Sequence, residues 1–155
     1  MLIHSQERQT GFSLVEVLIA LIIMSVGMLG IATLFVQSMQ AGRTSMFRHH
    51  AVTLAGDVAD RIRANPRAGI AYQGAGADNG CIDTGNDCNE AAMAANDIFL
   101  WDAQVVESLP NGAVTVTFDD TVTPPEYTIR IDWDEPGEDP MNPLNYQIII
   151  PVNPF

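Results

Sequence analysis

The longest feature of the chain is an apolar run near its amino terminus. From Phe12 to Val36 the run contains a single charged side chain, Glu16. A helix of this length, at about 1.5 Å per residue, spans roughly 37 Å and can cross a bilayer at a tilt. A removable secretory signal has a shorter apolar core and a small-x-small cleavage site, and this run has neither. We therefore expect a transmembrane helix, residues 12–36, that stays in the mature protein.

The apolar pattern continues beyond this run as one helical stripe. Its members recur at i, i+4, i+7, i+8, i+11 and i+15, and they are Phe47, Ala51, Leu54, Ala55, Val58 and Ile62. Asn65-Pro66 predicts the end of the helix, because a residue before proline avoids helical backbone. The pattern predicts one helix from about Ser13 to Ala64. Its amphipathic half, residues 37–66, is expected to pack against a globular head, residues 67–155.

The head is predicted to begin with a loop and a short helix. Residues 67–95 are rich in Gly, Ala, Asn and Asp, which predicts a long loop with a helical turn at 90–95. Asp97 is predicted to be the N-cap of a second helix that ends before Pro110. Trp101 lies at an apolar position of this helix, which favours a place in the core, while the alternative is an indole that stacks on a ligand.

Three later segments alternate apolar and polar residues, as strands do. They are residues 113–118, 127–133 and 146–152. One face of each is apolar and the other polar, which is typical of an antiparallel meander that covers a helix. The predicted fold is therefore α+β, with a long helix, a loop that holds both cysteines, a short helix and three strands.

Charge is distributed unevenly along the chain, whose net charge is −12. Residues 1–67 hold six Arg and four acidic residues, a net of +2, whereas residues 68–155 hold Arg130 and fifteen acidic residues, a net of −14. Phosphate contacts need Lys and Arg, so an acidic head is a poor candidate for nucleic-acid binding, and we expect no nucleic-acid partner.

The two cysteines, Cys81 and Cys88, lie in the Gly- and Asn-rich loop. No histidine lies near them, and their spacing does not match common zinc sites. They fit a disulfide if the head lies outside the cytoplasm, and two unpaired thiols if it lies in a reducing compartment.

The sequence contains no catalytic pattern, and we predict neither an enzyme nor a cofactor. No P-loop, nucleophile elbow or metalloprotease helix is present. Neighbouring His49 and His50 point about 100° apart on a helix, so solvated side chains are expected rather than a ligand pair. The acidic run at 132–139 raises a calcium hypothesis, but its spacing differs from an EF-hand loop, and a solvated loop is the alternative.

Glu16 is the anomaly of the apolar run. An ionised carboxylate in hydrocarbon costs several kcal/mol without a partner, unless the residue lies shallow enough to reach the headgroups. Cleavage of the Gly11–Phe12 bond would create an α-amine four residues before Glu16, and this amine is a cation when its pKa is near 8. A pair between this amine and a Glu16 carboxylate, in the same or a neighbouring subunit, would fix the register of an assembly.

The segment G-F-S-L-V-E, followed by a long apolar helix, resembles the class III signal of type IV prepilins. The resemblance implies that a prepilin peptidase removes a leader, residues 1–11, by cutting after Gly11. It also implies N-methylation of Phe12 and pairing of Glu16 with another subunit's amine during assembly. The implied fold is pilin-like, and the resemblance covers nearly the whole chain.

Residues 57–66, DVADRIRANP, are similar to a stretch in PilV-type minor pilins. From the residues alone, Asp60, Arg61 and Arg63 are expected to form only exposed ion pairs of small value. The resemblance implies a minor pilin that primes type IV pilus assembly and supports adhesion and twitching. The implied partners are the major pilin, other minor pilins, the assembly platform and a tip adhesin. Alternatives are a minor pseudopilin of a type II secretion system and a signal-anchored extracytoplasmic binding protein.

Membrane orientation does not follow from charge. The leader MLIHSQERQTG holds Arg8 and Glu7, whereas Arg43 and Arg48 follow the span, so the count of basic residues does not favour a cytoplasmic amino terminus. The resemblance and the cysteines instead imply a periplasmic head on a single inner-membrane span, and later a place in a pilus at the cell surface.

Overall fold

The computed structural model describes residues 11–82, 87–135 and 143–153. Along the chain these residues form helix α1 (Leu14–Ala64), a short 3₁₀ helix η1 (Gly69–Gln73), helix α2 (Glu90–Ser108) and strands β1 (Ala113–Asp119), β2 (Glu126–Trp133) and β3 (Leu144–Pro151). This order confirms the predicted pilin-like α+β fold. The division between two compact units falls between Gly42 and Arg43.

Helix α1 is continuous over 51 residues and ends where Asn65-Pro66 predicted. In its second half the apolar stripe is buried, with Ala59 added to the predicted set. The buried residues are Ala51, Leu54, Ala55, Val58, Ala59 and Ile62. Phe47 packs partly buried against the same core. The amphipathic half of α1 therefore supplies one wall of the head.

The opposite wall is an antiparallel sheet in the order β1-β2-β3. Val116 lies opposite Ile129, which in turn lies opposite Ile148, so one apolar row crosses all three strands. Every second residue of β2, from Tyr127 to Trp133, is buried. The meander with one apolar face is confirmed, because a side-chain period of two places all these residues on the core side.

Helix α2 differs from its prediction at the amino-terminal end. The predicted turn at 90–95 and the predicted short helix form one helix, and its N-cap is Asn89, whose side chain accepts from the Ala92 N–H. The prediction of Asp97 as the N-cap is therefore wrong. Asp97 lies inside α2 and is buried, because its carboxylate has partners across the core rather than at a helix end.

Helix η1 lies in the segment that was predicted to be loop. Its Tyr72 is buried, stacks on Trp101 with ring centroids 5.6 Å apart, and meets Tyr127 edge-on at 5.9 Å. These three rings join η1, α2 and β2. Such pairs stabilise beyond the area that they bury, so a segment without apolar periodicity becomes part of the core.

Candidate functional site

The Gly11–Phe12 junction lies in non-helical backbone directly before α1. Both residues are exposed. Apart from the chain neighbours of Gly11, no atom of the described residues comes within 4 Å of where a Gly11 side chain would begin. Helix α1 starts with the Glu16 N–H donating to the Ser13 carbonyl at 3.0 Å. The bond after Gly11 therefore joins two exposed residues outside the hydrogen-bonded helix.

Glu16 lies in the first turn of α1. The first N–H groups of a helix lack helical partners, and the helix dipole favours a negative charge at this end. No side chain in the described parts of the chain pairs with the Glu16 carboxylate. By contrast, two hydroxyls further along donate to their own helix, Ser25 to the Ile22 carbonyl at 2.8 Å and Thr33 to the Leu29 carbonyl at 3.0 Å. Glu16 is the single charged side chain between Phe12 and Val36.

The first half of α1 exposes its apolar side chains on every face. The large apolar residues between Phe12 and Met39 are all exposed. Their exposed fractions range from 48% at Val17 to 82% at Phe12. The helix is long and apolar enough to cross a membrane by length and composition. Such a surface needs lipid or other apolar helices around it, because isolated proteins rarely expose contiguous apolar patches of this size.

In the head, an ion-pair network links α1, η1 and α2. Arg61 Nη1 donates to Asp97 Oδ1 at 3.1 Å, and Arg61 Nε donates to Asp57 Oδ2 at 3.1 Å. The Tyr72 hydroxyl donates to Asp97 Oδ2 at 3.1 Å. The expectation of exposed ion pairs alone is wrong for Arg61, because Asp97 is only 4% exposed. It holds for Arg63, which pairs with exposed Asp60 at 3.0 Å.

The electrostatics of this network follow from burial and from these bonds. Burial opposes the charge of Arg61, but its bonds to Asp97 and Asp57 outweigh that effect and raise the Arg61 pKa. Burial raises the pKa of the Tyr72 phenol well above its ordinary value. Burial also raises the pKa of Tyr127 to about 12. Both phenols are therefore neutral hydrogen-bond donors at ordinary pH, and Tyr127 donates to the Gly69 carbonyl at 2.9 Å.

Cys81 and Cys88 form a disulfide, with Cα atoms 5.7 Å apart, as predicted for an extracytoplasmic head. Asn96 of α2 fixes the start of this loop, because its Oδ1 accepts from the N–H groups of Asn79 and Cys81 at 3.1 and 3.3 Å. Asn79 in turn donates to the Ala92 carbonyl at 2.9 Å. Hydrogen bonds between the loop and α2 therefore hold the start of the loop, and the disulfide closes it.

Among the described residues, no group of His, Cys, Asp and Glu is placed to hold a metal ion. In the acidic run, three carboxylates already accept from protein donors: Asp132 from Arg130, Asp134 from Asn111, and Glu135 from Thr44 and Trp133. Residues 136–139 of the calcium hypothesis lie outside the described residues. His49 and His50 are exposed, as expected for solvated side chains.

Trp101 is 1% exposed, and the prediction of a core position is confirmed. Tyr72 stacks on one face of its indole, and at 1% exposure the ring presents no open face on which a ligand could stack. The sequence reasoning missed Tyr72, Asn96 and the role of Asp97. The N-cap Asn89 could have been recognised from the sequence, because an Asn directly before Glu90 and an alanine-rich run is typical of a helix start.

Two family models match the chain. Residues 7–32 match the prokaryotic N-terminal methylation motif, and residues 33–99 match a family described as type IV pilin Tt1218. The first match contains Gly11, Phe12 and Glu16. The second contains the amphipathic half of α1, both cysteines and the first half of α2, but none of the sheet. No curated protein and no solved structure matches the chain.

Proposed function

We propose that this chain is a minor pilin, which a prepilin peptidase processes and which joins a type IV pilus with other pilins. The two family matches support a type IV pilin with a prepilin motif. The matched pilin family is structural rather than enzymatic, and the proposal assigns no reaction to the head. The minor role rests on the likeness of residues 57–66 to PilV-type proteins.

One observation carries the proposal. A non-helical Gly11–Phe12 bond between exposed residues is followed directly by an apolar helix. The first turn of this helix holds Glu16, whose carboxylate has no partner among the described residues. Cleavage at Gly11 leaves a cationic amine at Phe12, and methylation of that amine preserves the charge. Glu16 of one subunit then neutralises the amine of a neighbour as the helix leaves lipid for the filament. The charge pair sets the axial offset between subunits, and the apolar surface stays buried throughout.

The head supports this route through its disulfide. A disulfide persists in an oxidising compartment, so Cys81–Cys88 agrees with a head in the periplasm and later on the cell surface. The inner-membrane assembly platform, the major pilin and a tip adhesin are the partners that the role requires. In this role the protein primes assembly and supports adhesion and twitching.

The amino terminus of the protein isolated from its native membrane tests the proposal. We expect mass spectrometry to find a chain that begins at Phe12 and carries an added methyl group. Gly11→Ala is expected to leave the leader in place, and Gly42→Ala is a control outside the motif that is expected to be processed normally. A native protein that still begins with Met1 would instead indicate a signal-anchored binding protein.

Deletion of the gene separates a pilus from a secretion system that shares the same signal. We expect loss of twitching with secreted hydrolases unchanged. Lost secretion with intact twitching would assign the chain to a type II secretion pseudopilus.

A further inference from the structure

Strand β3 is the outer strand of the sheet, and its backbone direction follows from one hydrogen bond. The Val152 N–H donates to the Pro125 carbonyl at 2.8 Å, which aims the N–H of residue 152 toward β2. The β2–β3 register is continuous from Glu126–Pro151 to Trp133–Leu144, without a bulge. Since N–H groups alternate in direction along an antiparallel strand, those of Asn145, Gln147 and Ile149 point away from β2.

These three N–H groups, and the carbonyls of the same residues, have no protein partner within the described segments. The position of Pro151 fits this alternation. Its backbone nitrogen, which carries no hydrogen, faces away from β2, where an edge strand tolerates proline. The other sheet edge differs. Strand β1 lies beside η1 and α2, and Gln73 of η1 donates to the Phe118 carbonyl at 3.4 Å.

Apart from Pro151 at its end, strand β3 lacks the charged side chains that commonly protect an edge from pairing. Between Leu144 and Pro151 the sequence LNYQIIIP contains no charged residue, whereas exposed edge strands commonly carry lysine or other charges. Ile149 is 53% exposed on the solvent side of the sheet. An open, uncharged edge that exposes an isoleucine is suited to binding another extended chain.

A groove adjoins the start of this edge. It has a volume of about 300 Å³ and is lined by Arg48, Val52, Trp133, Leu144, Asn145 and Tyr146. Its walls are mostly apolar, so it fits an apolar side chain of a segment that lies along β3. In strand addition the backbone bonds supply affinity, and pockets of this kind supply specificity.

Charge identifies the kind of occupant. Residues 68–155 carry a net charge of −14, and Arg130, their single cation by sequence, is bonded to Asp132 at 2.7 Å. Arg48 of α1 adds one cation to the groove lining, and this leaves the excess of negative charge in the head. A second copy would bring the same negative charge, which disfavours pairing of β3 with itself. We infer that the β3 edge binds an extended, neutral or basic segment of a different protein by strand addition. This inference goes beyond the proposed pilus role, and its test does not depend on cleavage at Gly11.

The test is an amide NMR titration of the full chain in non-ionic detergent micelles. The probes are two capped copies of the β3 octapeptide, one with lysine and one with glutamate at the positions of Asn145 and Gln147. We expect the lysine peptide to shift the amides of Asn145, Gln147 and Ile149. We expect the glutamate peptide to bind at least threefold more weakly at low salt, and this difference to shrink near 1 M salt because exposed charges are screened.

Three variants make the titration specific. Gln147→Pro removes one outward N–H and no bond to β2, and is expected to weaken binding roughly fivefold or more. Gln147→Ala is the matched control, since it removes the side chain and keeps the N–H, and is expected to bind like the parent chain. Ile149→Lys places a cation at an exposed position of the edge and is expected to reduce the preference for the lysine peptide. If Gln147→Pro does not fold, the peptide titration of Ile149→Lys tests whether binding occurs at the β3 edge.

Four results would overturn the inference: no shift with either peptide, shifts confined to other parts of the head, equal binding by the two Gln147 variants, or no charge preference. Concentration-dependent protection of the β3 amides in the chain alone would show that the occupant is a second copy, and this would overturn the assignment to a different protein.

Discussion

Arg61 of α1 donates to the buried carboxylate of Asp97 on α2, with Nη1 and Oδ1 3.1 Å apart. The same carboxylate accepts from the Tyr72 hydroxyl of η1. Asp97 therefore joins three separate segments through one side chain. These two bonds offset the free-energy cost of burying the Asp97 charge, which would be high without a partner.

Asp97→Asn is predicted to destabilise the head. The substitution keeps the shape and one acceptor, but it removes the charge that Arg61 and Tyr72 share. We expect the free energy of unfolding to fall by about 1–3 kcal/mol, below the cost of breaking a fully buried pair because Arg61 is partly exposed. Urea unfolding followed by tryptophan fluorescence measures the loss.

The matched control is Asp60→Asn, which breaks the exposed pair with Arg63 and is expected to cost less than about 0.5 kcal/mol. Equal losses in the two variants would show that Asp97 is no more important than a surface ion pair.

Tyr127 is predicted to make the head sensitive to alkali. Its pKa is raised to about 12 in the folded protein, against about 10 for an unfolded tyrosine. Between these values the unfolded chain loses the phenol proton and the folded chain keeps it. Stability is therefore unaffected below about pH 10 and falls as the pH rises toward 12, by roughly 2 kcal/mol from this group.

Tyr127→Phe is expected to reduce the loss of unfolding free energy between pH 10 and 12. The variant loses the bond to the Gly69 carbonyl, so its stability at pH 7 should be about 1 kcal/mol lower. Its loss between pH 10 and 12 should nevertheless be smaller than that of the parent chain, with Tyr72 supplying the remainder. Parallel pH profiles for the two proteins would refute this account of Tyr127.

Two glycines are predicted to respond to alanine in opposite directions. A Cβ on Gly76 would lie 2.7 Å from the Phe99 backbone nitrogen, where no flexible group can move aside. We expect Gly76→Ala to lower the free energy of unfolding by about 2 kcal/mol or more. Gly56 in α1 has open space around it, so Gly56→Ala should raise stability by up to about 1 kcal/mol.

Thermal unfolding by circular dichroism compares these two glycine variants directly. A Gly76→Ala protein as stable as its parent would show that the loop does not pack on α2 as closely as described.

Glu16→Ala is predicted to separate processing from assembly. The peptidase acts on the bond after Gly11, so the variant should still be cut to Phe12. Without the carboxylate no neighbour neutralises the new amine, and we expect incorporation into sheared pili to fall roughly tenfold or more. Quantitative immunoblotting of pilus and membrane fractions measures the ratio.

Glu16→Gln provides the isosteric control, with similar size and no charge. It should fail like the alanine variant. Normal incorporation of Glu16→Gln would mean that shape or hydrogen bonding, rather than charge, is what assembly requires.

Local patterns predicted much of this protein. The apolar run, the stripe from Phe47 to Ile62, the stop at Asn65-Pro66 and the alternation in β2 depend on near neighbours and on regular periods of 3.6 and 2.0. The junction at Gly11 and the acid at Glu16 were also recognisable, because their meaning lies in spacing within one short segment. The prediction at Asp97 failed for the opposite reason, since a capping preference is local and the carboxylate's partner lies 36 residues away on α1.

The sequence by itself determined that an apolar helix with one acid follows a Gly-Phe junction, and that an acidic α+β head follows this helix. Only the tertiary structure decided which side chains meet: Arg61 with Asp97, Asn96 with the cysteine loop, and Tyr72 between α2 and β2. It also decided that η1 and α2 lie beside β1, whereas β3 has no such neighbour among the described residues. Periodicity is encoded within a few residues, whereas these pairings depend on how distant segments pack after the chain has folded.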